Sequence, residues 1–249
     1  MGKSKELAEL GDVVTQDGGN MLVGTTSHFN YSGGTTEITV GTDATGSSAG
    51  GAMTFVSNNG ATTLGYAGFQ EAEAQIGTMG SRPLKLTTDN TARLTIDASG
   101  RVTMPSQPAF RAYSTVSAWT LLSSNTWVIA ALESEDYDRG SNYNTTNYRF
   151  TAPIAGLYQF TLHAYARVQS GGQGDNSYYW TARFGINGQT QGVHCIVGYF
   201  SDGDEDNTCT VTSTFNLSAN DYVEVYLRGH SSSAEYYRSL CSFEGRLVG

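Results

Sequence analysis

The chain has 249 residues and a formal net charge of −9, with 15% charged and 39% hydrophobic residues. Such a length allows one large or two ordinary domains with a buried core. The acidic balance argues against nucleic-acid and anionic-membrane binding, which need clustered lysine and arginine. No apolar run approaches the ~20 residues that span a bilayer, so membrane insertion is not expected. With 30 Gly and 15 Tyr and very few candidate helices, the composition describes an extended β protein.

At the start of the chain Lys5 and Glu9 stand four apart, Leu7 and Leu10 share a side and Gly11 supplies a stop, which predicts a short helix over residues 3–10. A helix of that length is unstable alone, so residues 1–12 are expected to be a docking segment. Met1 to Glu6 leads into no apolar signal core, and Glu6 stands where an acylation pattern wants Ser or Thr, so the chain is expected to be made and folded in the cytosol.

Residues 13–105 are rich in Gly, Thr and Ser, with apolar residues in short bursts such as Met21-Leu22-Val23, Ile38-Thr39-Val40, Met53-Thr54-Phe55-Val56 and Leu64-Gly65-Tyr66. Bursts separated by such turn formers cannot wrap a monomeric core, whereas three intertwined chains could. Arg93 to Met104 has the pattern of a hairpin: Leu94 and Ile96 face one way, Asp97 to Gly100 turns, and Val102 and Met104 return. Pro105 and Pro108 then mark a boundary, leaving residues 106–249 as a second domain.

In that domain Pro153, which has no N–H to give a ladder, and Gly156, which permits a positive φ, mark a strand end and a turn. Tyr158, Phe160, Leu162, Ala164, Ala166 and Val168 then alternate with Gln159, Thr161, His163, Tyr165 and Arg167, a two-residue period that only a strand uses. Trp180, Ala182, Phe184 and Ile186 alternate into Asn187-Gly188, the dipeptide suited to a type I′ hairpin. Val211, Ser213, Phe215 and Leu217 follow on one face, then a turn at Asn220-Asp221, the strand Tyr222 to Arg228, and a closing strand through Phe243, Gly245 and Leu247.

The stretch Phe150 to Phe160, together with Cys241 to Val248, resembles the core of C1q/TNF-like jelly rolls over about residues 108–249. Asn220 departs from the Gly usual there, a mild change because Asn tolerates a positive φ. The resemblance implies an all-β protein with a jelly-roll head, a compact homotrimer, and a binding role without catalysis. Met21 to Thr26, Ala74 to Thr78 and Arg93 to Met104 are similar to the shafts of phage tail fibres. That likeness implies a virion location, phage tail or capsid proteins held by the N-terminal segment, and attachment to a host-surface glycan or protein. A capsid-decorating fibre without receptor binding is the alternative. No Gly-X-Y collagen repeat precedes the head.

Tyr and Trp offer rigid contact area with a polar handle, and Tyr143, Tyr178, Tyr179, Tyr236 and Tyr237 are the receptor-binding candidates; Tyr158 and Trp180 belong by alternation to the core. Asp202, Asp204 and Asp206 share an acidic loop that could offer oxygens to Ca²⁺, although the bidentate Glu of an EF-hand is missing and a solvated loop is the plainer reading. Glu133 to Asp138 forms a second acidic segment, placed in a loop. A glycosidase would need carboxyls such as Glu135 and Asp204 at a fixed separation, but no catalytic motif surrounds them and no enzyme is expected. His163 is expected to make an intersubunit hydrogen bond. Cys195, Cys209 and Cys241 are an odd set without zinc spacing, expected as partly buried thiols, with a Cys195–Cys209 bridge left open. Nucleophile-elbow and nucleotide-binding glycine motifs are absent.

Overall fold

The computed structural model describes residues 14–17, 20–23, 50–56, 63–70, 73–122, 125–168, 179–189, 194–197, 205–230 and 234–249. Their regular elements are strands, apart from one 3-10 turn at Arg238–Leu240. The helix expected at residues 3–10 lies outside the described residues. The chain divides into two compact units, Met1–Leu84 with Asp97–Gly100, and Lys85–Ile96 with Arg101–Gly249.

Strands β1 (Val14–Asp17) and β2 (Asn20–Val23) form an antiparallel pair. β3 (Gly50–Val56), β4 (Thr63–Gln70) and β5 (Ala74–Thr78) make an antiparallel three-stranded sheet. β6 (Leu84–Thr88), β7 (Thr91–Ile96) and β8 (Val102–Thr103) make another. The hairpin expected at Arg93 to Met104 is present, with Thr95 opposite Thr103 and Ile96 opposite Val102. Its turn closes because Gly100 takes a φ of 81° and donates its N–H to the Asp97 carbonyl at 2.9 Å, while the Asp97 carboxylate accepts from the Ser99 N–H.

The remaining strands alternate between two sheets. They are β9 (Ala109–Tyr113), β10 (Trp119–Leu121), β11 (Val128–Ile129), β12 (Ser134–Arg139), β13 (Tyr143–Asn144), β14 (Arg149–Thr151) and β15 (Gly156–Val168). After them come β16 (Trp180–Ile186), β17 (His194–Val197), β18 (Glu205–Leu217), β19 (Tyr222–Gly229), β20 (Ala234–Tyr237) and β21 (Ser242–Leu247). The seven-stranded sheet runs β10-β20-β15-β21-β9-β12, with β18 on the other edge of β15, and the six-stranded sheet runs β13-β14-β19-β16-β17, with β11 also on β19. The chain crosses from one sheet to the other at β14 to β15, β15 to β16, β17 to β18 and β18 to β19, which is the path of a jelly roll.

Periodicity explains what lies between the sheets. Tyr158, Phe160, Leu162, Ala164, Ala166 and Val168 point inward from β15, and Trp180, Ala182 and Phe184 from β16; all are buried, as alternation predicts. Phe110, Phe150, Phe160, Phe184 and Phe243 form a continuous ring cluster across the gap, with Phe110 stacked on Phe150 at 4.8 Å and edge-on to Phe243 at 4.9 Å. The Asn187-Gly188 turn has positive φ at both residues, 52° and 73°, and Asn220 adopts φ 72° before β19, as the sequence predicts.

Two expectations change. Gly156 does not use the positive φ open to it; it opens β15 at a point where a Cβ would meet the Gly249 carbonyl oxygen and Leu247 Cδ1, both at 2.8 Å. Ser134 to Asp138 is not a loop but lies in β12, paired with β9, where the exposed Asp136 carboxylate meets Arg111 and Asp138 accepts from the Tyr143 N–H. Within the chain, His163 Nδ1 lies 3.0 Å from Thr210 Oγ1 across the β15–β18 ladder.

Gly245 makes the ring cluster possible. A Cβ on it would meet Phe160 Cε1 at 2.6 Å and Phe110 Cε1 at 2.8 Å, both buried rings without room to retreat. Gly245→Ala is therefore expected to destabilise the sandwich by about 1–3 kcal/mol, the usual range for overpacking, in urea unfolding at an unchanged m-value. A wild-type midpoint would show that the rings can move aside.

Candidate functional site

Because inward positions are filled, the chemistry of the sandwich lies on its two outer faces. On the seven-stranded sheet β15 turns out Gln159, Thr161, His163, Tyr165 and Arg167 beside Thr208, Thr210, Thr212 and Thr214 of β18. Cross-strand pairs lock this face: Thr161 with Thr212 at 3.1 Å, and Tyr165 Oη donating to Asp206 Oδ2 at 2.5 Å. A groove of about 580 Å³ lies on it, lined in part by Tyr137, Arg139, Gln159, Thr212, Glu244 and Arg246.

Further along β15 the same face carries an aromatic group. Trp119 of β10 lies directly opposite Tyr237 of β20, their rings edge to face at 5.0 Å, with Tyr165 5.7 Å from the Trp119 ring. The Arg167 guanidinium covers the Trp119 ring at 3.8 Å and donates to Glu235 at 3.1 and 3.2 Å. Charge and ring are thereby fixed together, with Trp119, Tyr165 and Tyr237 all half-buried.

The outer face of the six-stranded sheet is built differently. Glu224 is 1% exposed, yet its carboxylate is fully engaged: Arg149 donates twice to Oε1, at 3.1 and 2.7 Å, and Tyr226 Oη donates to Oε2 at 2.6 Å. Burial, then the bond to Glu224, pushes the Tyr226 phenol well above its ordinary value. Beside this ladder Arg183 and Arg228 both lie against the Trp127 ring, their guanidinium carbons 3.6 and 4.7 Å from its centroid. Burial, with Arg228 close by, holds the Arg183 guanidinium below its ordinary value. Tyr179 stacks on His230 at 4.0 Å.

The five tyrosines expected on one surface are therefore dispersed. Tyr237 and Tyr179 are half-buried on the outer faces of different sheets, and Tyr178 lies outside the described residues. Tyr143 and Tyr236 are core residues, 6% and 2% exposed, and cannot be surface contacts of this fold. Each is admitted because its hydroxyl keeps a backbone partner: Tyr143 donates to the Leu132 carbonyl at 3.0 Å, and Tyr236 accepts from the Ala131 N–H. Of the acidic loop, Asp202 and Asp204 lie outside the described residues, and Asp206 is the exposed partner of Tyr165 on β18. No group of three or more metal-ligating side chains occurs among the described residues.

Glu135 stands on β12, its carboxyl raised by burial and by Asp138, and its supposed companion Asp204 lies outside the described residues. The side chain of Cys195 lies outside them too. Cys209 faces the core from β18, and burial pushes the Cys241 thiol up to about 11. The sequence reading missed Trp119 and Trp127, which stand on or beside strands of two or three residues with no period to reveal a face. Arg167 and Tyr165 were visible on the polar side of β15.

No protein-family model matches the chain, and no curated protein matches it. Solved structures do. The globular domain of zebrafish complement 1qA protein aligns at 14% identity and a TM-score of 0.41, over 57% of this chain and 98% of that one. Murine APRIL aligns at 13% identity and 0.41, over 57% and 99%, and the Eiger TNF of S. frugiperda at 15% and 0.40, over 57% and 93%.

One carboxylate ties the loops at the Tyr236 end of the sandwich. Glu133 accepts from Ser114 Oγ and the Thr115 N–H, each at 2.9 Å, and from Arg238 at 2.8 Å. Burial works against the charged form, but these bonds and Arg238 outweigh it and hold the carboxyl below its ordinary 4.5. A depressed carboxylate adds stability that is fully present above its unfolded value and is lost as pH falls through the folded one. Glu133→Gln should cost on the order of 1 kcal/mol at pH 7, with the two unfolding curves converging below pH 4.5. A gap that stays constant into acid would contradict the assignment.

Proposed function

We propose that the protein is a homotrimeric phage virion fibre whose jelly roll is a non-catalytic attachment head for a host-surface glycan or protein. One observation carries the assembly: the small sheets before the sandwich leave large apolar side chains in water. Ile76 is 68% exposed on β5, Leu86 57% on β6 and Val102 56% on β8. Isolated two- and three-stranded sheets are marginal without a covered face, and intertwining identical chains would cover these positions. The likeness of Ala74 to Thr78 and Arg93 to Met104 to fibre-shaft segments supports the same reading.

In this proposal the half-buried cluster of Trp119, Tyr165 and Tyr237, together with Tyr179, supplies receptor contacts, and three heads multiply weak contacts into avidity. Residues 1–12 dock on phage tail or capsid proteins. Light scattering of the full chain should give a mass near three times 26.6 kDa. Repetition in EDTA tests whether Ca²⁺ at Asp202, Asp204 and Asp206 holds the assembly. A folded monomer would sink the fibre reading. A trimer that binds nothing on an array of bacterial surface polysaccharides or to whole cells would favour a decorating fibre without a receptor.

A further inference from the structure

Arginines on this sandwich divide into two kinds. Arg111, Arg149, Arg167 and Arg238 each have a carboxylate partner. Arg183 and Arg228 have none among the described residues, as is also true of Arg139 and Arg246 on the other sheet. The strand register puts them together: Thr181 lies opposite Arg228 and Arg183 opposite Tyr226, so the two guanidinium groups are diagonal neighbours on the outer face of β16 and β19. Val128 pairs with Leu227, which brings Trp127 alongside Arg228, and its ring supports both cations at 3.6 and 4.7 Å.

Like charges held side by side repel, and burying part of each makes this worse. The Nε atoms of Arg183 and Arg228 are buried without an acceptor, and so is Oγ1 of Thr181, a residue 2% exposed on the same face. Two neighbouring cations with enclosed Nε atoms and no carboxylate between them need an explanation, and the half-buried ends of their guanidinium groups call for a negatively charged acceptor. We propose that Arg183 and Arg228, braced by Trp127 above the enclosed Thr181, form a binding site for an oxyanion, the carboxylate or sulfate group of an acidic polysaccharide. Planar guanidinium groups fixed against a ring present paired donors to such a group with little left to order. The neighbouring surface includes a polar ladder of Tyr226, Glu224 and Arg149, and β14, β16 and β19 expose no large apolar residue, which suits a hydroxylated polymer better than a peptide anchor. The site stands on its own geometry; that its ligand is a receptor rests on the attachment reading.

The full chain is titrated by biolayer interferometry with polygalacturonate, dextran sulfate and neutral dextran at low and moderate salt. We expect one or both acidic polymers to bind, neutral dextran not to bind, and Arg183→Gln with Arg228→Gln to weaken binding about tenfold or more. Arg183→Lys, which keeps the charge but loses the fork, should weaken it several-fold, and Lys85→Gln on exposed β6 should leave it within about twofold. Polygalacturonate binding alone identifies a carboxylate, dextran sulfate binding alone a sulfate. Thermal unfolding of each variant separates loss of the site from loss of the fold. Equal binding by the double variant, or no acidic polymer bound above dextran, overturns the site. A monomeric mass with arginine-dependent binding intact would instead overturn the fibre and leave the site.

Discussion

Everything in the sandwich depends on the ring cluster between its sheets. Phe160 sits at its centre, contacting Phe110, Phe150, Phe184, Phe215 and Phe243 with centroids 5.5 to 6.3 Å away. These rings come from six strands of both sheets, so removing one would unfasten several connections at once. Aromatic side chains suit the task because each fills a large volume while freezing only two torsions. Closing the gap with rings also requires a strand without a side chain at one point, and Gly245 of β21 supplies it.

A core that complete leaves the outer faces free to be polar, and they have taken different forms. On the seven-stranded sheet several charges are paired locally: Arg111 with Asp136 and Glu244, Arg167 with Glu235. Such half-exposed pairs add little stability, but they fix where rings such as Trp119 lie. On the six-stranded sheet Glu224 is buried, and its three accepted bonds compensate the desolvation that burial costs. The contrast between that closed network and the Arg183–Arg228 pair beside it is a difference in satisfaction, not in composition.

The sequence made the central strands legible because their signal is local. β15 repeats its period for 13 residues, and Asn187-Gly188 and Asn220 announce their backbone conformations by residue type. What it hid depends on partners far along the chain. Glu133 to Asp138 is acidic enough to pass for a loop, but β9 lies alongside and Arg111 and Arg238 meet its carboxylates. Tyr143 and Tyr236 pass for surface residues because nothing nearby in sequence shows that Leu132 and Ala131 will occupy their hydroxyls. The two outer aromatic sites were equally hidden, since Trp119 and Trp127 stand by strands too short to show a face.

The same reasoning separates the sandwich from the sheets before it. β15 buries every second residue against partners of its own chain, whereas β5 and β6 leave most positions exposed, Ile76 and Leu86 among them. An apolar side chain left in water forgoes roughly 25 cal/mol for each Å² that a partner could cover. Strands of two to six residues recover little of that within a three-stranded sheet, however good their hydrogen bonding. The sandwich is thus explained by contacts within one chain, whereas the exposed apolar positions of β5, β6 and β8 are what the proposed assembly would cover.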